Sequence, residues 1–287
     1  MVTQTFSLEG TYCERCGRIS HLCQPIAMEI HQVDWGRHIY LDDSRTQRKR
    51  YHCNSTMAHE QRLKIEIQKS LSLIGLESAP YISCPSALHF HKSSTQTTTI
   101  ILSGVVFRQT QLLFQDSDFK IFNCSFQDTF TALKIHITDN ARTLFFLYGA
   151  FFFNNNISCV EIILYHKDSN QDQLLVLNIS ETTFRKNGFH KQRFPRGVLT
   201  IRSQTTLPSS SIYVQISCLN ITSVNNVGYF MNLDLPSAVT SRVYDDVRLF
   251  NNTLSDFVKA STSNGKEAIT DYSWKKSMSS ARKALMI

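Results

Sequence analysis

Glycine is scarce in this chain, ten among 287 residues, and its scarcity removes several kinds of chemistry at once. Gly149 and Gly188 have no second glycine at the spacing a phosphate-binding loop requires. No serine sits in the strand–turn–helix elbow of a hydrolase nucleophile. Calcium needs about six to eight oxygens around it, and no single run supplies them. Long apolar runs are missing too. The most apolar run, Leu144 to Phe153, falls well short of the roughly 20 residues that span a bilayer, so no transmembrane segment is expected. Residues 1–20 show no basic start followed by an apolar core and a cleavage site, so no signal peptide is visible. The net charge of +7 lies mostly at the C-terminal end, where residues 259–287 carry six basic against two acidic side chains. The middle is close to neutral and shows no basic stripe with interleaved aromatics, so a nucleic-acid partner is not expected. Arg45-Thr-Gln-Arg-Lys-Arg50 reads as a solvated loop.

What is present is a recurring copy: an aliphatic residue, a turn-prone residue two positions on, and a bulky apolar residue three after that. The copies are Leu102–Phe107, Ile121–Phe126, Leu147–Phe152, Ile179–Phe184, Ile216–Ile221 and Leu249–Leu254, and all but the first are followed within four residues by Asn or Asp. Apolar anchors five apart would face opposite sides of one unbroken strand. A corner between them restores a common core. The third position holds Gly104, Asn123, Gly149 and Asn251, residue types that tolerate the left-handed backbone of a tight corner. Glu181 and Cys218 depart from this and weaken the fourth and fifth copies. Most copies are followed by another strand-like run, such as Ala132–Ile137, Cys159–Leu164, Gly197–Ile201 and Tyr229–Leu233. Each unit is therefore expected to contribute a strand, a corner, a second strand, a loop and a third strand. Residues 62–90, with Pro80 at a corner, supply the first unit or two. The aromatic run with Phe145, Phe146, Phe151, Phe152 and Phe153 is expected to be stacked core.

A repeat at an irregular step, with strand-sized units, predicts an all-β solenoid. The pattern resembles the right-handed parallel β-helix of the pectin-lyase-like superfamily, and the likeness covers the β-helix region, residues 61–258. The alternative all-β arrangement is a sandwich. Residues 1–60 read as a cysteine-containing N-terminal cap, and 259–287 as a basic tail or short helix with Trp274, Met278, Ala281 and Leu285 at helical spacing.

Six sequons occur, at Asn54, Asn123, Asn156, Asn178, Asn220 and Asn251, against about three expected by chance from the Ser and Thr content. These are the candidate glycosylation sites. Eight cysteines, an even number, suit an oxidising compartment. The expectation is an extracellular or cell-surface protein whose true start lies elsewhere, with a cytoplasmic protein as the alternative. Cys13, Cys16, His21 and Cys23 have the ligand types of a zinc site. Cys53 joins the cysteines in a disulfide-tied cap, the reading preferred here, while Cys124 and Cys159 suit buried thiols.

The resemblance implies that an enzyme of this kind would carry clustered acidic residues with Arg, Lys or His on an outer strand face. The nearest match is Asp116, Asp118, Lys134 and His136, with Glu161, Thr200 and Asn232 following Lys134 in successive units. These do not make the carboxylate pair that acid–base cleavage of sugars uses. Neither catalytic nor metal nor cofactor residues are therefore assigned. The leading reading is a non-catalytic extracellular scaffold binding glycans or matrix and cell-surface proteins. The alternatives are a polysaccharide lyase or hydrolase, and an intracellular zinc-containing adaptor.

Overall fold

The computed structural model describes residues 5–6, 38–41, 50–52, 62–67, 70–75, 79–83, 87–92, 98–138, 142–165, 172–188, 197–204, 212–235, 238–250, 252–254, 258–261 and 269–274. Every regular element among them is a β-strand, and the strands pair in parallel across three ladders. The chain makes one strand in each ladder and then returns to the first. Thr99–Ser103, Val106–Arg108 and Leu112–Gln115 form one such pass. Asp118–Phe122, Ser125–Gln127 and Thr131–Ile137 form the next, each lying in register on its predecessor. Arg142–Tyr148, Phe151–Phe153 and Ser158–Leu164 follow, then Gln173–Ser180, Thr183–Arg185 and Gly197–Ser203. The thirteen-residue strands Ile212–Val224 and Ala238–Phe250 run through the first and second ladders without a break. Val227–Asp234 continues the third ladder.

The expected order of strand, corner, second strand, loop and third strand is what the register shows. Gly104, Asn123 and Gly149 have left-handed backbones at φ 65°, 50° and 62°. Glu181, read as a weak fourth copy, turns the same corner at φ 49°. The backbone there is held from outside the side chain: Glu181 N donates to Leu219 O at 3.0 Å, as Gly149 N does to Ser180 O at 3.1 Å. The fifth copy needs correcting by two residues. Cys218 is not a corner but stacks on Ile179 inside the core, and Asn220, at φ 51°, turns the chain. The sixth copy shifts five residues the other way: Asp246 is its corner at φ 49°, and Leu249 pairs with Ser223, not with an aliphatic anchor. Asn251 lies outside the described residues.

A second column of left-handed residues ends the second ladder: Gln109, Asp128, Asn154, Lys186 and Asn225. The residues just after them turn inward, and three of these, Asn155, Asn187 and Asn226, are fully buried. They form a file. Asn155 N and Nδ2 both donate to Asn187 Oδ1 at 3.0 Å, and Asn187 N and Nδ2 both donate to Asn226 Oδ1 at 2.8 Å. Asn226 N continues the file to Asn252 Oδ1 at 2.7 Å. Each amide nitrogen also reaches a strand carbonyl: Asn155 to Phe126, Asn187 to Phe152 and Asn226 to Phe184. Buried main-chain N–H groups need partners, and the file supplies one per pass.

Beside it runs a file of rings. Phe107 and Phe126 stack at 5.3 Å, Phe126 and Phe152 at 4.9 Å, Phe152 and Phe184 at 5.0 Å. In the next pass Ser223 takes that register position, and Phe230 meets Phe184 edge-on at 5.9 Å. The expected aromatic core is therefore half right. Phe145 and Phe152 are buried, whereas Phe146, Phe151 and Phe153 are half-buried on outward-facing positions. Strand alternation separates them.

Within the N-terminal 60 residues, His38–Leu41 and Arg50–His52 pair in register with Leu71–Gly75 and Tyr81–Ser83, extending the first and second ladders. Thr5–Phe6 pairs in turn with Tyr40 and Leu41, and the other cap residues, including Cys13, Cys16, His21, Cys23 and Cys53, lie outside the described set. At the other end Trp274 closes the strand Ile269–Trp274, which pairs with Ala238–Phe250. Met278, Ala281 and Leu285 are outside the description.

The asparagine file gives a direct stability test. N187A leaves the buried Asn155 N–H and the Phe152 carbonyl without this partner and should lower the unfolding free energy by about 3 kcal/mol. N156A, on an outward-facing side chain, should change it by less than about 0.5 kcal/mol. Urea denaturation of both variants measures the difference, and equal midpoints would remove the file from the account of stability.

Candidate functional site

Register on the third ladder places Lys134, Glu161, Thr200 and Asn232 in one outward file, as the sequence suggests. Glu161 is only 2% exposed. Lys134 Nζ lies 3.7 Å from Oε2, and Arg202, two residues beyond Thr200 on the next pass, brings a guanidinium nitrogen to 3.0 Å from Oε1. The His136 ring, two residues beyond Lys134, sits edge-on to Tyr165 at 5.3 Å. One carboxylate thus holds cations from the passes before and after it. Chemically this is a clamp across three strands.

Asp116 and Asp118, the acidic pair singled out in the sequence, act on the following pass. Asp116 turns the chain at φ 52°, accepts from Thr138 N at 2.6 Å, and also accepts from the Thr138 hydroxyl. Asp118 Oδ1 accepts from Leu144 N at 2.8 Å. Asp116 meets His136 through the main chain, its N–H donating to the His136 carbonyl at 3.1 Å. Lys134 turns instead to Glu161. Each of the four suspected residues therefore has a structural partner: Asp116 binds the backbone just past the end of Thr131–Ile137, and Asp118 holds a main-chain N–H inside Arg142–Tyr148.

The first ladder presents a different surface. Leu144, Phe146 and Tyr148 face outward on one strand, and Leu174, Val176, Asn178 and Ser180 on the next. Tyr213 and Leu219 follow on the strand after that. Tyr148 and Tyr213 are each 39% exposed and Leu219 is 42% exposed; the apolar neighbours are half-buried. The Tyr148 phenol, hydrogen-bonded to Glu181, is held above its ordinary pKa range. Alternation was the available signal for this face, since Phe145 points in and Phe146 must then point out. The sequence reading missed it by treating the aromatic run as one block.

The asparagines divide into two groups. Asn154, Asn155, Asn187, Asn226 and Asn252 donate their side-chain nitrogens to protein acceptors, and none of them is the acceptor asparagine of a sequon. The four described sequon asparagines are Asn123, Asn156, Asn178 and Asn220, and among the described residues none has a hydrogen-bonded side chain. Asn123 and Asn220 are exposed on the same column of corners. Gly149 follows Asn123 in that column, where any Cβ would collide with Asn123 Oδ1, so glycine makes room for the asparagine side chain. Asn178 lies on the strand face between Phe146 and Ser217. Asn54 and Asn251 are outside the described residues.

Cys124, Cys159 and Cys218 are buried free thiols. That bears out the sequence reading for Cys124 and Cys159. It also removes the parity argument for disulfides, because three unpaired cysteines leave five of the eight. Burial pushes the Cys124 and Cys218 thiols up to about 12 and Cys159 well above its usual range. Among the described residues no helix is long and apolar enough to cross a membrane, and no group of His, Cys, Asp and Glu is arranged to hold a metal ion. No family model, curated protein or solved structure matches the chain.

Two experiments follow. E161Q should cost roughly 2 kcal/mol, less than the loss of one partner from a fully buried pair. Lys134 and Arg202, at 26% and 30% side-chain exposure, retain some water. Adding K134M should recover part of that loss in urea denaturation; strictly additive losses would show the clamp to be inert. The thiols give a pH test. Unfolded Cys218 releases its proton near pH 9.0, whereas the folded chain keeps it until about 12. The folded state therefore binds more protons in that window. Its stabilisation is complete below pH 9 and falls as pH rises, by at most about 1.4 kcal/mol per pH unit per thiol. C218A should lose stability less steeply between pH 9 and 11 than the unchanged chain, and parallel curves would contradict the burial.

Proposed function

We propose that the chain is a right-handed parallel β-helix, pectin-lyase-like in architecture, that serves as a non-catalytic extracellular interaction scaffold. Three parallel ladders visited in turn, with an inward asparagine file and stacked phenylalanines, support the architecture. The observation that carries the function is the division of labour among polar side chains. Asp116, Asp118 and Glu161 join consecutive passes, as does the asparagine file, so this chemistry serves the framework. The four described sequon asparagines are set apart from it, with side-chain amides that make no hydrogen bond among the described residues.

In this reading Asn123 and Asn220 carry glycans along one column of corners. Three passes separate them, or about 14 Å at the ordinary spacing between strands. Partners, either glycans or proteins of the matrix or cell surface, dock on faces the attached sugars leave open. A rigid ladder suits such contacts because its outward side chains recur at fixed intervals along the stack. Fold alone does not assign activity, and the committed roles of the acidic residues weigh toward binding over turnover.

The test is intact mass of the full chain from its native source, before and after enzymatic removal of N-glycans, together with incubation on polygalacturonate and alginate. The expected result is a mass drop of several glycans and no unsaturated or reducing-end product. Turnover of either polymer that disappears in D118A would replace the scaffold with an enzyme. An unchanged mass, with stoichiometric zinc and alkylatable N-terminal cysteines, would place the chain inside the cell.

A further inference from the structure

We infer that Asn178 is N-glycosylated and that its first sugars lie on the aromatic face of the first ladder, covering Leu144, Phe146 and Tyr148. This rests on the extracellular reading and assigns one of its sugars a structural place. The starting observation is a surface that needs explaining. Half-buried or exposed apolar side chains occupy adjacent strands, and contiguous apolar patches on a protein surface mark something that covers them.

The second observation is where the sequon falls. Asn178-Ile-Ser180 lies at the centre of this face. Ile179 points into the core at 1% exposure, so Asn178 and Ser180 point out. Asn178 pairs with Phe146 on one side and Ser217 on the other, while Ser180 pairs with Tyr148 and Leu219. Adjacent strands stand about 4.8 Å apart, so a sugar attached to Asn178 starts within one ring width of Phe146. The Asn178 amide has no hydrogen bond within the described protein, so attachment breaks nothing.

The chemistry is complementary. An N-acetylglucosamine linked to Nδ2 has one face of axial C–H groups and a rim of hydroxyls. The C–H face suits the flat ring of Phe146 and the amphipathic ring of Tyr148. The hydroxyls meet Ser180, Ser217 and Gln215, which share the outward side. A glycan so seated turns an apolar sheet face into a hydrated one while leaving the register beneath untouched. Asn123 and Asn220 differ in kind, because they stand on corners and their glycans would project from the edge.

The experiment uses the full chain secreted from a eukaryotic host behind an added leader. Glycopeptide mapping after deglycosylation in heavy-oxygen water identifies which asparagines carried glycans. Binding of an apolar fluorescent dye is measured before and after glycan removal. The expected result is a marked Asn178 and a several-fold rise in dye signal on deglycosylation. S180A, which removes the sequon but keeps Asn178, should already show the high signal, whereas N123Q should not. Glycans on Asn123 and Asn220 with Asn178 unmodified would overturn this inference and leave the extracellular reading standing. No glycan at any sequon would overturn both. A modified Asn178 with unchanged dye binding after glycan removal would overturn the covering of the aromatic face.

Discussion

The structure depends on keeping each pass of the chain in register with the last at the buried turn after the second ladder. Main-chain N–H groups there are shut away from water, and each needs an acceptor that does not disturb the neighbouring strand. Asn187 meets the need in both directions, accepting from Asn155 and donating toward Asn226. Its own N–H is satisfied by Asn226. A slip of one residue would break this chain of amides and turn every core side chain outward. The phenylalanine file depends on the same register, because Phe107, Phe126, Phe152 and Phe184 stack only when the strands carrying them align.

Much of this was legible in the sequence. The corner chemistry of Gly104, Asn123 and Gly149 followed from the left-handed backbone, and the anchors on either side followed from parity. Glu181 was harder. Its corner is imposed by ladder hydrogen bonds from the adjacent passes, which outweigh the modest local cost for a non-glycine residue. Cys218 misled because a small apolar residue in the aliphatic position broke the visible copy, and Ser223 in place of a fifth ring hid the second anchor. The asparagine file appeared only as an Asn or Asp trailing each copy. Nothing in one sequence distinguishes Asn154, which faces outward beside Asp128, from Asn155, which faces inward; the left-handed turn between them decides it.

The candidate site was legible in register and misleading in chemistry. Lys134, Glu161, Thr200 and Asn232 do stand in one file, yet Glu161 is buried between two cations. Asp116 and Asp118 lie two apart as an acidic pair would, but each hydrogen-bonds the backbone of the next pass, Asp116 at its last strand and Asp118 at its first. Residue type alone cannot tell a carboxylate that caps a strand from one that waits for a substrate. The pairing partner can. The same logic separates the asparagines that bind protein from those that do not.

In four consecutive passes the first corner spans two residues between flanking strands: Gly104 and Val105, Asn123 and Cys124, Gly149 and Ala150, Glu181 and Thr182. Its inner member is always small or medium and buried, which is why a thiol at Cys124 can stand where Thr182 has a hydroxyl. The extra length of later passes falls elsewhere, between the second and third strands or before the return to the first. Across these four passes this edge has kept its gauge, while the strands Ile212–Val224 and Ala238–Phe250 run through it unbroken. Over that stretch the molecule carries a ruled margin, graduated at one interval. A second object with a matching repeat could be measured against it, mark for mark.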